Sequence, residues 1–337
     1  MKAIELVQCS PEQFRVAQRP MPEARRGEIV VRMLAASINY RDHQIAGGTY
    51  HENFRLPLVP LSDGVGEVVE VGDGVTRFKP GERVAGTFWQ RWIAGRFDPT
   101  HHGSSLGGPL DGMLAQYVRL DEQGAVSVPP HLSDEEAATL PCAGVTAWRA
   151  LVSEGGLRAG DTVFVQGTGG VSMFALQFAR ICGARVIVAS HSAAKLERAR
   201  ALGAAACIHY GETSDWAAEV LRLSEDRGVD HIVDVGGPAS FAQAVRSLRP
   251  GGQINVVGYL GGMQGDINPL QLLAQQAQLR GMQVGPRSCF EDMNRALAAN
   301  GLRPVIDRVF DWTEQAEALR RLRERQHVGK IVLKFGD

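Results

Sequence analysis

The stretch DTVFVQGTGGVSMFALQFAR, residues 161–180, decides the fold. A short β-branched and apolar run, 162–165, leads straight into Gly167, Thr168, Gly169 and Gly170, and a helical pattern opens at Val171. Glycines at a strand-to-helix turn permit the tight bend and let backbone N–H groups at the helix N-terminus approach a pyrophosphate. Ser172 stands at the third position of the usual G-x-G-x-x-G pattern, small enough for the helix still to pack close to the strand.

The same alternation continues downstream. RVIVAS (185–190), CIHY (207–210), HIVDV (231–235), QINVVG (253–258) and QLRGMQVG (278–285) read as strands, and helical patterns over 193–202, 215–223 and 239–248 lie between them. Six such runs predict a parallel, doubly wound α/β sheet with a ligand at the carboxyl ends of its strands. In a dinucleotide fold the second strand delivers an acidic residue to the ribose 2′-hydroxyl when NAD is preferred. Here it ends in Ser190 and His191 with no carboxylate, and Lys195, Arg198 and Arg200 follow. A 2′-phosphate finds a cation there, so NADPH is expected over NADH, with Lys195 the contact and the two arginines a solvated helix face.

Upstream the texture differs. Up to about residue 125 the chain reads as short strands, such as 28–35 and 66–71, separated by turns such as Lys79-Pro80-Gly81-Glu82. The last stretch holds a helix, VIDRVF, a second helix and GKIVLKF, too little to stand alone. The expected organisation is a β-rich domain over 1–125, a dinucleotide-binding domain over 126–285, and a segment over 286–337 that completes the first; 337 residues suit two domains better than one core. Lys plus Arg total 36 against 37 Asp plus Glu, which leaves no basic surplus for a nucleic-acid partner. No apolar run approaches the ~20 residues that span a bilayer, so a cytoplasmic protein with no membrane partner is expected. Cys9, Cys142, Cys182, Cys207 and Cys289 fall in no C-x-x-C spacing, which argues for reduced thiols.

Together INYRDHQIAGGTY, PLSDGVGEVVEVGDGVTRFKPGERV, LPCAGVTAWRAL, VQGTGGVS, KLERARALGA, VDHIVDVGG, RPGGQINVVG and HVGKIVLKF span nearly the whole chain. It resembles the medium-chain dehydrogenase/reductase superfamily, and within it the zinc-independent quinone oxidoreductases and enone reductases related to zeta-crystallin. The resemblance implies a GroES-like β-rich catalytic domain beside a Rossmann domain. It also implies where the branch that uses catalytic zinc would keep its ligands: near Asn39, at Ser62 and near Cys142. Only the last is a zinc ligand type, one short of even a pair, whereas catalytic zinc takes three protein ligands. The structural-zinc lobe of that branch would fall within 88–111, which has no cysteine; His101 and His102 there read as polar surface. No metal is expected.

Without a metal to polarise a carbonyl, the acceptor must spread its developing charge, which quinones and α,β-unsaturated carbonyls do and simple alcohol chemistry does not. By resemblance, residues 39–50 line the active site. Asn39 replaces a zinc ligand and hydrogen-bonds the nicotinamide ribose or substrate, Tyr40 closes over the nicotinamide, and Tyr50 falls where related enoyl thioester reductases keep a catalytic tyrosine. Thr146 matches a contact on the nicotinamide side and Tyr210 one beside the adenosine phosphate. Val257-Gly258 and Val284-Gly285 end strands that meet the nicotinamide half, and Lys330 approaches the cofactor; each also admits a structural reading. The aromatic-rich segment 86–112 reads either as a lid or as a patch against a partner subunit. The resemblance favours a homodimer through the strand near 278–284. The expected function is NADPH-dependent hydride transfer to a quinone or activated C=C bond. Alternatives are an alcohol dehydrogenase of the same superfamily or a non-catalytic NADPH-binding protein.

Overall fold

Thr162–Gln166 and Val229–Asp234 are buried at every position, with apolar residues at their centres and hydrogen-bonded polar ones such as Thr162, Asp230 and His231 beside them. In the computed structural model, which describes residues 1–10, 13–51 and 53–336, these two strands lie side by side in the middle of a parallel sheet. Its order among the described residues is Ala206–His209, Arg185–Ser190, Thr162–Gln166, Val229–Asp234, Leu248–Val256, Gln278–Gly281. That is the 3-2-1-4-5-6 order of a doubly wound dinucleotide fold. Burial falls off toward the edges: three of the four residues of Gln278–Gly281 are exposed.

The helices predicted between the strands form close to their expected bounds, at Gly170–Ile181, Ala193–Ala201, Trp216–Leu223 and Phe241–Ser247. The first buries seven residues, from Ser172 to Ala179. The second is largely solvated and buries Leu196 and Ala199, three apart on one stripe. Glycines that end these two helices, Gly183 and Gly203, hold φ of +80° and +95°, which favour a residue without a Cβ. Phe164 stacks on Trp216 at 5.0 Å, and each such buried side chain contributes about 1.5–3 kcal/mol of hydrophobic stabilisation. The sequence turn Pro250-Gly251-Gly252 lies inside Leu248–Val256; pairing with the neighbouring strand slips there, from Val229 opposite Leu248 to His231 opposite Gln253.

The second architecture is mostly antiparallel, with one parallel pair between Ile306–Asp311 and Lys330–Lys334. The eleven-residue strand Glu28–Ile38 pairs with Asp63–Val71, with Tyr117–Asp121 and with Lys330–Lys334, so the end of the chain returns to its beginning. Arg83–Gly86 and Ala125–Ser127 extend the sheet on one side and Ile306–Asp311 on the other.

The chain divides into two compact units, Met1–Val145 with Val284–Asp337, and Thr146–Gln283. The expected boundary at 125 therefore moves to Val145, and that at 285 moves back to Gln283. The cause is pairing: Ala125–Ser127 is a strand of the first sheet, and the helix Asp134–Ala137 packs on Glu28–Ile38 and Asp63–Val71. Within residues 88–102 the side chains of Phe88, Trp89 and Trp92 turn into the first unit, while Arg91, Arg96 and residues 98–100 are exposed. Trp89 and Trp92 are buried, and Phe97 meets them edge-on at 5.3 and 4.9 Å. His101 and His102 lean on Phe97, and the carbonyls of Trp92 and Ile93 accept from the N–H groups of Arg287 and Ser288. Among the described residues no helix is long and apolar enough to cross a membrane.

Candidate active site

In the unit Thr146–Gln283 the carboxyl ends of the parallel strands converge on the glycine turn. Gly167 has φ of +74°, and its N–H donates to Ala189 O at 2.7 Å, which ties the turn to the second strand. Gly169 is the N-cap of the twelve-residue helix Gly170–Ile181 and offers no side chain to its first N–H groups, so the positive end of that helix stays available to an anion. Ser172 does more than fit: its Oγ donates to Gln166 O at 2.7 Å and fastens helix to strand where a third glycine would only have made room. Thr168 is buried and Val171 lies in the first turn.

Along the same edge, Ser190 is buried at the end of its strand, and its Oγ accepts from the N–H of Ser192. The exposed ring of His191 lies 4.9 Å from that of Tyr210, which in turn stands 6.2 Å from Trp216. Burial pushes the Tyr210 phenol up, so it stays neutral. Lys195 is half-buried in the first turn of Ala193–Ala201, its N–H held by Ser192 Oγ. Val257 and Gly258 follow Leu248–Val256, the N–H of Val257 donating to Asp234 O. Asp234 itself was missed by the sequence reading. Its carboxylate accepts from Gly236 N–H, Gly237 N–H and Ser240 Oγ, and burial raises it against those bonds. An Asp ending a core strand before Gly-Gly was the available signal.

Apart from Thr146, the other candidate residues lie in the first unit, and strand register brings two of them, Asn39 and Lys330, together with Asp63. Ser37 lies opposite Asp63, and Ile38 lies opposite Ile331, so Asn39, Asp63 and Lys330 meet at the end of the long strand. Lys330 Nζ donates to Ile38 O at 2.8 Å, Asn39 Oδ1 at 2.5 Å and Asp63 Oδ2 at 3.2 Å. Asp63 is 0% exposed and Lys330 3%. Ser37 Oγ and Ser62 Oγ donate to the same carboxylate, and Asn39 Nδ2 stands 3.5 Å from Ser62 Oγ. The ammonium thus fixes which end of the Asn39 amide is which: with Oδ1 on the cation, Nδ2 is the donor end, and one of its two hydrogens meets Ser62 Oγ. All three ammonium protons have acceptors inside this unit, which makes Lys330 a brace for Asn39.

Asn39 also caps the helix Tyr40–Ala46, whose Asp42 accepts from the Asn39 N–H at 2.7 Å. Residues 40–46 of the stretch expected to line the site are helical. Burial, outweighing the nearby Arg41, raises the Asp42 carboxyl to about 6. Tyr50 Oη accepts from Arg41 Nε at 3.2 Å. Tyr40 is 40% exposed, its ring edge-on to His43. Thr146 is buried in the short helix Val145–Trp148, and Val284 and Gly285 are buried where the chain re-enters the first unit.

Two family descriptions match this chain: "Alcohol dehydrogenase GroES-like domain" over residues 25–130 and "Zinc-binding dehydrogenase" over 170–299. A zinc-type alcohol dehydrogenase-like protein of Schizosaccharomyces pombe is 39% identical, over 97% of this chain and 95% of its own. The chain belongs to the medium-chain dehydrogenase/reductase superfamily. The crystal structure of a putative alcohol dehydrogenase from Sinorhizobium meliloti 1021 superposes with a TM-score of 0.94 at 43% identity, covering 99% of this chain and 98% of that one. An acryloyl-coenzyme A reductase of Metallosphaera sedula is 27% identical over 99% of both chains. Membership makes the protein an oxidoreductase of this superfamily with a GroES-like and a Rossmann part.

Zinc, named in two of these descriptions, does not fit the donors present. Among the described residues no three His, Cys, Asp or Glu side chains gather to hold a metal. Cys142 is desolvated, and the nearby Asp63 carboxylate raises its thiol further, which disfavours the thiolate a metal needs. A lysine ammonium, itself a cation, already engages the Asp63 carboxylate.

Proposed function

We propose that the protein is a zinc-independent, NADPH-dependent reductase of quinones or activated C=C bonds such as enones and enals. The observation that carries this reading is the buried Lys330–Asn39–Asp63 group, a fixed positive charge behind a hydrogen-bond donor where the superfamily's metal enzymes keep ligands. The likeness to an acryloyl-coenzyme A reductase supports a conjugated acceptor.

Gly167, Thr168, Gly169, Gly170 and Val171 would hold the pyrophosphate at the helix N-terminus. Ser190, His191, Lys195 and Tyr210 would take the adenosine and its 2′-phosphate; Thr146, Val257, Gly258, Val284 and Gly285 would take the nicotinamide side. NADPH, when bound, supplies two electrons to the acceptor carbon as a hydride. Asn39 Nδ2 donates a hydrogen bond to the acceptor oxygen as it becomes negative, and Lys330 keeps the amide from flipping. Tyr50 gives its phenolic proton to the carbon next to the carbonyl, and the C=C bond becomes a C–C bond. Tyr40, exposed beside Asn39, covers the site.

The relatives named as alcohol dehydrogenases favour oxidation of an alcohol instead, and one panel separates the readings. Purified protein is offered quinones, enones, enals and secondary alcohols with each coenzyme, after dialysis against chelator and with metal analysis. NADPH consumption with conjugated acceptors by metal-free protein is expected; activity that requires stoichiometric zinc would sink the proposal. A homodimer is part of the same reading. The edge strand Gln278–Gly281 has one side unpaired among the described residues, and near it in sequence the helix Pro269–Gln275 buries none of its residues, leaving Leu270 and Leu273 67% and 73% exposed.

A further inference from the structure

Arg41 is 8% exposed, and its guanidinium lies 4.7 Å from the ring centroids of both Tyr50 and Phe88. Burying a guanidinium costs several kcal/mol unless its donors are satisfied, and a close carboxylate is the usual partner. Here the neighbouring carboxylate oxygen, Asp42 Oδ1, stands 4.0 Å from Nη1. Backbone carbonyls serve instead: Nη1 donates to Leu106 O at 2.8 Å, and Nη2 donates to Gly108 O at 2.6 Å and approaches Ser105 Oγ at 3.5 Å. Those bonds set the guanidinium plane and leave Nε directed at Tyr50 Oη.

We propose that Arg41 is a positioning residue that primes Tyr50 as the acid of the reduction. The inference rests on the reading of Tyr50 as proton donor. An arginine does not give up its proton, so in this bond the phenol oxygen is always the acceptor and its own hydrogen must point elsewhere. A cation held against that oxygen also favours the phenolate left after donation. In the step, the Tyr50 O–H bond breaks and a C–H bond forms at the substrate carbon with the enolate electron pair; the two reducing electrons come from NADPH, and water reprotonates the phenolate. Among the described residues, the groups that pack about Tyr50 include Arg41, the His51 ring at 4.5 Å, and the apolar cluster of Leu6, Ile45 and Leu58. Asp42 and Cys142 act on Arg41 from behind.

The test compares the wild type, Arg41→Met and Arg41→Lys, each with and without Tyr50→Phe, checking folding by circular dichroism. The ultraviolet difference between each protein and its Tyr50→Phe partner reports the ionisation of Tyr50 alone. Tyr50 should ionise about one pH unit or more higher in Arg41→Met than in the wild type, a tenfold loss of acidity, with kcat for an enone falling about as much and Arg41→Lys intermediate. Equal ionisation in all three overturns the role of Arg41. Full turnover by Tyr50→Phe overturns the acid assignment itself, a separate failure seen without any titration. Should both Arg41 variants fail to fold, the wild-type pH profile decides: a basic limb in kcat that Tyr50→Phe abolishes supports the proposal, and a limb it leaves in place overturns it.

Discussion

Replacing Lys330 by Met tests the centre of the site. Methionine keeps the length and apolar stem of lysine but removes the charge. The Asp63 carboxylate, 0% exposed, would then keep only Ser37 Oγ and Ser62 Oγ as side-chain donors, and the Ile38 carbonyl and Asn39 Oδ1 would each lose a charged donor. Breaking a buried pair by removing one partner costs about 3–5 kcal/mol, because the other charge is left uncompensated. Against a usual total of about 5–15 kcal/mol that is a large fraction. Urea unfolding followed by tryptophan fluorescence gives the global loss, and hydrogen exchange in Glu28–Ile38 and Lys330–Lys334 localises it. Lys330→Met with Asp63→Asn removes the orphan charge, and the pair should recover at least half of the loss. Turnover should fall at least tenfold in the single variant, because the Asn39 amide no longer has a fixed orientation. A cost below about 1 kcal/mol, the range of a solvated pair, would refute the reasoning, as would a double variant no better than the single.

Asp42 carries a pH prediction. Its carboxyl titrates near 6 in the folded protein against 3.8 ordinarily, so the folded state takes up the proton first and gains stability as pH falls through that window; above about 6 the penalty of the buried charge is fully present. The gain is about 3 kcal/mol at most, and Asp42→Asn should remove it, so unfolding midpoints of the two proteins should diverge between pH 6 and 3.8 and run parallel above. Ser190→Asp places a carboxylate at the end of the second strand, where it repels a 2′-phosphate and accepts from a ribose hydroxyl; the NADPH-to-NADH ratio of kcat/KM should drop about tenfold or more, and an unchanged ratio refutes the assigned coenzyme preference. Leu270→Glu with Leu273→Glu charges the exposed face of Pro269–Gln275 and should leave a monomer by light scattering; an unchanged mass argues against that face as the dimer contact.

Sequence patterns reported what is local. The glycine turn at 167–170, the six β runs and the helix ends at Gly183 and Gly203 are each written within a few neighbouring residues, and periodicity reads them. What periodicity cannot report is pairing over distance. Lys330 lies 291 residues from Asn39, and only the antiparallel return of Lys330–Lys334 onto Glu28–Ile38 makes them neighbours. The segment 126–145 was misassigned for the same reason: Ala125–Ser127 is too short to announce a strand, and its partner Arg83–Gly86 is forty residues earlier. The helix Tyr40–Ala46 escaped because seven residues with two charges show no apolar stripe, and its start is set by Asn39 and Asp42 capping one another.

Arg41 shows why the chemistry of such a site is less legible than its fold. In sequence it is one charge in NYRDH, beside an aspartate four ångströms away in space, and a surface ion pair is the default reading of that dipeptide. The carbonyls of Leu106 and Gly108 overturn the default: they are neutral acceptors, so they hold the guanidinium in the interior without cancelling its charge. A cation neutralised by a bidentate carboxylate would bias a neighbouring phenol little. One held by carbonyl dipoles, with the Asp42 carboxylate 4.0 Å off rather than paired to it, keeps much of its field, and at low local dielectric that field falls on the oxygen Nε reaches, which is that of Tyr50.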